Sequence, residues 1–200
     1  MNPPKASEQL VRRILAGVNL PTPIEPVALL GVRGYRQDSM GVVGQNDVGI
    51  YDDAIFMIAP NAFLAANANT DPSKLGWNPS VGKPFAMLQT GIWYFRRGPH
   101  KGRTPALRQY TDEEAAGLGI PDNGEFLVER MFGKNDKRNY KEKGYFAINI
   151  HSGGDATTSS WGCQTIPPAE FFSFMDAVWK ESINAKQRRI PYYLTEGPIV

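Results

Sequence analysis

The apolar residues of this chain fall into short blocks separated by polar stretches rich in glycine and proline, a spacing that suits strands better than long helices. Val27-Ala-Leu-Leu-Gly-Val32 and Ala54-Ile-Phe-Met-Ile-Ala59 read as core strands, the second closed by Pro60, and Asn61 to Ala68 continues as another. Ala86-Met-Leu-Gln89 and Ile92-Trp-Tyr-Phe95 flank a bend at Thr90-Gly91. Phe126 to Phe132 is the next strand, Tyr145-Phe-Ala-Ile-Asn-Ile150 is a buried one, and Tyr192-Tyr-Leu194 is the last. Two segments have helical spacing instead. Residues 5–17 bring Leu10, Val11, Ile14 and Leu15 to one face, with Gly17 as the stop. Pro167-Pro-Ala-Glu170 opens a stronger helix, because proline is tolerated in a first turn and Glu170 suits the positive end. Phe171, Phe174, Met175 and Val178 mark its buried face. Pro21 to Pro26 is a stiff lead-in. Arg33 to Gly41, Asn69 to Pro84 and residues 96–123 read as loops, the last basic and then acidic, and Gly133 to Gly144 as a charged hairpin connection.

This pattern predicts a mainly β protein with flanking helices, an α+β fold. Residues 1–26 form an N-terminal helix and proline-rich lead-in, and residues 27–200 a single domain. The length suits one domain, commonly ~100–200 residues, and 16 prolines with 20 glycines argue against a helical bundle. A net charge of +2 gives little long-range attraction to nucleic acid, and no basic strand carries interleaved stacking aromatics, so no nucleic-acid partner is expected. No apolar run approaches the ~20 residues of a membrane span. A single cysteine, Cys163, excludes an intramolecular disulfide framework. Oligomeric state is not readable from these features.

The cysteine lies in the run His151-Ser-Gly-Gly-Asp-Ala-Thr-Thr-Ser-Ser-Trp-Gly-Cys163-Gln, which also holds one of the two histidines. A thiol becomes a good nucleophile at neutral pH when a base is near or its pKa is lowered. His151 at a strand end, followed by a polar loop folding back beside it, assembles such a pair. Gly162 allows a close backbone approach or an unusual φ, and Ser160-Trp161-Gly162-Cys163 is a tight-turn sequence able to aim N–H groups at an oxyanion. The bland alternative is a buried small hydrophobe.

At these residues the chain resembles the L,D-transpeptidase catalytic-domain family of the YkuD type, in a divergent version like those carried by bacteriophages. The family signature is a histidine at a strand end, a variable loop, then Ser/Thr-His-Gly-Cys. Ile150-His151-Ser152 is similar to the first part, and Ser160, Gly162 and Cys163 to the second. Trp161 stands where the family usually has a second histidine, and Thr90 to Phe95 is a weaker echo of a family strand. The resemblance implies a β-sandwich with a C-terminal helix and no cofactor. It implies Cys163 as nucleophile, His151 as general base and the Ser152 backbone carbonyl as the group that orients the imidazole. N–H groups around Trp161 and Gly162 would hold the oxyanion. The implied substrates are peptidoglycan stem peptides, attacked between the L-centre of a diamino acid and the following D-alanine. Water as acceptor makes an L,D-carboxypeptidase or endopeptidase, and an amine makes a transpeptidase.

Met1-Asn-Pro-Pro-Lys-Ala-Ser-Glu8 has no apolar export signal. The expectation is therefore synthesis in the cytoplasm and action on the cell wall after phage-mediated release, which tilts the reading toward hydrolysis. His100 and Arg103, in the basic stretch Arg96 to Arg103, are expected to meet substrate carboxylates, and Ser160 and Tyr51 to line the substrate cleft. A zinc site is not supported, since no ligand spacing accompanies His100, His151 and Cys163. The competing class is a non-enzymatic wall-binding or virion module, its site blocked by Trp161.

Overall fold

The unbroken apolar blocks near the N-terminus become strands buried on both faces, as expected at the covered centre of a sheet. The computed structural model describes residues 5–18, 25–35, 47–120 and 124–197. The lead-in at residues 21–24, the end of the loop read at Arg33 to Gly41, and residues 121–123 lie outside these. β1 (Ala28–Arg33) and β2 (Asp53–Ala59) are buried along their whole length, and β3 (Ala62–Ala68) extends the antiparallel run. α1 (Glu8–Gly17) is capped by the Ser7 hydroxyl, which accepts from the Leu10 N–H. It lays Val11 and Leu15 against Leu30 and Phe56 on one side of these strands.

The remaining strands are β4 (Trp77–Asn78), β5 (Lys83–Leu88), β6 (Gly91–His100), β7 (Thr104–Arg108), β8 (Phe126–Met131), β9 (Tyr140–Gly144), β10 (Asn149–Ser152), β11 (Gln164–Ile166) and β12 (Arg189–Glu196). One sheet has eight strands in the order β11-β10-β7-β6-β12-β1-β2-β3, and a second has four in the order β4-β5-β8-β9. The two ends of the larger sheet meet. Asn69, just past β3, and Thr165 of β11 exchange both backbone hydrogen bonds at 2.8 Å, which bends that sheet nearly into a barrel. α3 (Pro168–Asn184) buries Phe171, Phe174, Met175 and Val178 in the main core. Its first-turn Glu170 accepts from the Asn67 N–H at 2.9 Å and the Asn67 side-chain amide at 2.7 Å, docking the helix on β3. The protein is mainly β with flanking helices: an α+β fold of two sheets, a C-terminal helix and a strand after it. No helix among the described residues is long and apolar enough to cross a membrane.

Four segments differ from the sequence reading. Residues 96–120 are not loop: β6 runs on to His100, a turn leads into β7, and α2 (Asp112–Leu118) follows. That short helix is held by a capping box between Thr111 and Glu114 and stopped by Gly119 in the left-handed conformation. The loop read at Asn69 to Pro84 contains β4 and the start of β5, and the charged connection at Gly133 to Gly144 ends in β9. Tyr145 to Ala147 is not strand. The Gln109 side-chain oxygen accepts from the Phe146 N–H at 2.8 Å and the Ile148 N–H at 3.3 Å, taking the place of a ladder partner.

Candidate active site

Parallel pairing of β10 with β11 brings the two halves of the His151–Cys163 run together. Ile150 faces Gln164 and His151 faces Thr165 across the ladder, so Cys163 lies beside Asn149. The Asn149 N–H donates to the Cys163 sulfur at 3.4 Å, and the thiol reaches toward the Ala147 carbonyl at 3.9 Å. Ala147 has φ 55°, a left-handed conformation uncommon for a residue with a Cβ, and such outliers gather at functional sites.

His151 is buried, and its Nδ1 lies 2.7 Å from the Ser152 carbonyl. A carbonyl only accepts, so Nδ1 carries the proton and Nε2 is left with its lone pair, ready to take a proton. The Ser152 contribution is this backbone oxygen. The His100 ring, at the end of β6, stacks on His151 with centroids 4.0 Å apart and planes 9° from parallel. His100 Nδ1 is 3.1 Å from the Asn149 side-chain amide nitrogen, which can only donate, so Nδ1 accepts.

Burial pushes the Cys163 thiol up to about 11, opposed weakly by the Asn149 N–H and the charge of Lys101. Burial, then His100, pushes His151 down to about 4, against the pull of its Ser152 hydrogen bond. His100 is also lowered, by burial and by Lys101 and Arg108. The resting pair at neutral pH is therefore thiol and neutral imidazole, not thiolate and imidazolium.

The turn before the cysteine is tied down on several sides. The Ser160 hydroxyl donates to the Cys163 carbonyl at 2.6 Å and accepts from the Gly162 N–H at 3.0 Å. The Ser160 N–H donates to the Ser73 hydroxyl at 2.6 Å, and its carbonyl accepts from the Ser73 N–H at 2.8 Å. Ser160 lines the cleft that holds His151, with its hydroxyl and backbone engaged in shaping the loop. The engaged Gly162 N–H is not an oxyanion donor. The N–H groups of Trp161 and Cys163 have no partner among the described residues. Gln164 locks the other flank: its amide nitrogen donates to the Gly162 carbonyl at 3.2 Å, and its oxygen accepts from Tyr192 of β12 at 3.1 Å.

Gly162 has φ 142°, and a Cβ there would fall 2.5 Å from the Ala86 carbonyl oxygen of β5. Gly162→Ala therefore meets both strain and backbone. It should destabilise the protein by about 2 kcal/mol or more and displace the cysteine, read as a lowered thermal midpoint together with lost thiol reactivity.

Cys163 and Trp161 separate two clefts. One, of about 630 Å³, lies on the Ala147 side under Arg108, Tyr110, Glu114 and Arg130. The other, of about 680 Å³, holds His100, Lys101, His151 and Lys74. Trp161 is 57 % exposed, so it is a wall between them and not part of the core. Two expected substrate contacts lie elsewhere. Arg103 is exposed in the β6–β7 turn, where its N–H donates to the His100 carbonyl at 3.0 Å. Tyr51 donates to the Gly154 carbonyl at 2.8 Å and packs on Gly153, bracing the loop after His151. Neither lines either cleft. Sequence reasoning did not single out Asn149, Ala147 or Gln164. Asn149 carried a usable signal, since it lies two residues before His151 on an alternating strand and so shares its face.

Among the described residues no group of three or more His, Cys, Asp or Glu side chains could hold a metal ion. No protein-family model, curated protein or solved structure matches this chain.

Proposed function

We propose that this protein is a cysteine-dependent acyl-transfer enzyme acting on peptidoglycan stem peptides at the cell wall, at the bond from the L-centre of a diamino acid to D-alanine, with water as acceptor. The observation that carries the chemistry is a cleft shared by the Cys163 thiol and a neutral His151, whose Nδ1 proton is held on the Ser152 carbonyl. The substrate class rests on the likeness of His151-Ser152 and Ser160-Trp-Gly-Cys163 to the L,D-transpeptidase signature. Cationic side chains in both clefts, Arg108 and Arg130 in one and Lys74 and Lys101 in the other, suit a peptide with several carboxylates.

In this mechanism His151 Nε2 takes the thiol proton while the sulfur attacks the carbonyl carbon. The Cys163 and Trp161 N–H groups face the oxygen that gains charge. The tetrahedral adduct collapses with cleavage of the C–N bond. The imidazolium returns its proton to the departing amine, and a thioester remains on Cys163. Water, deprotonated by His151, then hydrolyses the thioester and restores the thiol.

A second reading, transfer to an amine, is favoured by the two clefts meeting at one thiol, which offer separate seats for donor and acceptor. Mass spectrometry of purified muropeptides after incubation tests both readings. Loss of D-alanine or scission marks hydrolysis, and new cross-links mark transfer. Unchanged muropeptides and an unlabelled Cys163 sink the enzymatic reading in favour of a binding module. Trp161→Ala removes an exposed wall, so it should raise KM roughly 5- to 30-fold and leave the thermal midpoint almost unmoved. Steady-state kinetics and a melting curve check the pair of outcomes.

A further inference from the structure

The cleft of about 630 Å³ contains one charged side chain, Arg108, that no described residue holds by a hydrogen bond or salt bridge. Its other polar groups are largely committed. Gln109 donates to the Gly124 and Gly144 carbonyls at 2.7 and 2.9 Å, while its oxygen takes the N–H groups of residues 146 and 148. Arg130 donates to Glu142 at 2.6 Å and to the Pro84 carbonyl at 3.1 Å. Glu114, the only acid in the lining, holds Arg96 and accepts from the Thr111 N–H at 3.0 Å. Arg108 is half-buried, and its guanidinium makes no hydrogen bond or salt bridge to a described residue, acting on Glu114 and His100 only through its charge.

Its position is fixed by the sheet. Arg108 faces Asn149 across the β7–β10 ladder, and the Asn149 N–H sits on the Cys163 sulfur. Cα atoms so paired are ~5 Å apart, and Arg108 and Cys163 line the same cleft. Gly98 on β6 leaves room for the Arg108 stem, since a Cβ there would lie 3.0 Å from Arg108 Cδ. A guanidinium held partly out of water with its N–H groups not hydrogen-bonded to the described residues matches a carboxylate, which it grips through two parallel hydrogen bonds.

We propose that Arg108 is a specificity-determining residue that binds a free carboxylate of the peptide next to the scissile bond. This rests on the stem-peptide reading above. Two carboxylates have that chemistry: the C-terminus of the leaving D-alanine and the side-chain carboxylate of the diamino acid. The test uses a stem tetrapeptide with both free, a C-terminal amide and a side-chain amide, each given to the wild type, R108M and R108K. In the wild type one amidation should lower kcat/KM by roughly 10- to 100-fold, and the amide that does so names the carboxylate. R108M should lose a similar factor on the parent peptide and become indifferent to that amidation. R108K, which keeps charge and stem, should recover part of the preference and carries the comparison if R108M does not fold. Equal cleavage of all three peptides by the wild type, or an unchanged preference in R108M, overturns the assignment while leaving the acyl-transfer reading intact. Failure of the folded wild type to turn over any of the peptides overturns that reading, and the role of Arg108 with it.

Discussion

Replacing Cys163 by alanine or serine should remove turnover by ~10⁴–10⁶-fold without unfolding the protein. The fold should survive because Cys163 lines the clefts rather than the main core, and its sulfur contacts only the Asn149 N–H and a distant Ala147 carbonyl. The turn is held instead by Ser160, Gly162 and Gln164, which both variants keep. Serine is no rescue. Its hydroxyl is far harder to deprotonate than a thiol already pushed up to about 11, and a neutral imidazole lowered to about 4 is a weak base for that task. Muropeptide mass spectrometry gives the rate and a melting curve gives the fold. Digestion by Cys163→Ala at a rate near the wild type's would remove the nucleophile assignment.

His151→Ala should cost ~10²–10⁴-fold in kcat/KM, and the wild-type pH profile should have an unusual width. The base must be neutral to act, so activity rises with pH through the lowered His151 value of about 4 and then stays level, because the thiol does not ionise until about 11. A preformed thiolate–imidazolium pair would instead lose activity as the imidazolium titrates near neutrality, and a falling limb there would refute the neutral pair. His100→Phe keeps a ring against His151 and removes a neighbouring charge, which should move the acid limb upward.

The same burial acts on stability. The folded His151 resists protonation down to about 4, whereas in the unfolded chain it takes a proton near 6.5. Between those values the unfolded state binds more protons, so stability falls as the pH falls, by up to about 3 kcal/mol from this residue. Above 6.5 it contributes no slope. Denaturant midpoints at pH 7 and pH 4.5 should differ more in the wild type than in His151→Gln, and the comparison removes the response of other titrating groups such as Asp53.

The legible parts of the fold were those whose burial is self-evident along the chain. β1, β2 and β3 are apolar on both faces or nearly so, and the α3 aromatics repeat at helical spacing. The last half of β6 was not legible, because Arg96 turns to Glu114 and His100 lines a cleft rather than the core. α2 buries only Ala115, so periodicity does not reveal it, although Thr111 and Glu114 form a recognisable capping box. Tyr145 to Ala147 misled in the opposite sense: its apolar residues suggest a strand, while the side chain of Gln109 satisfies its backbone. In the candidate site, the run by itself suggested His151 at a strand end with Cys163 after a loop folding back beside it, while the Ser152 carbonyl entered only as what the family resemblance implies. His100 was not readable as a neighbour of Asn149 and His151, since strand register brings it to them and no local pattern encodes that.

β12 lies inside the eight-stranded sheet, between β6 and β1, although both of those strands precede it in the chain. During synthesis β1 and β6 therefore emerge with open edges and must wait for a strand not yet translated. Such edges pair readily with other chains, so the nascent protein is prone to aggregate until residues 189–196 insert. The same order delays the candidate site. Tyr192, which anchors Gln164 beside Cys163, arrives with that last insertion, so the thiol's surroundings are completed only as the sheet itself closes.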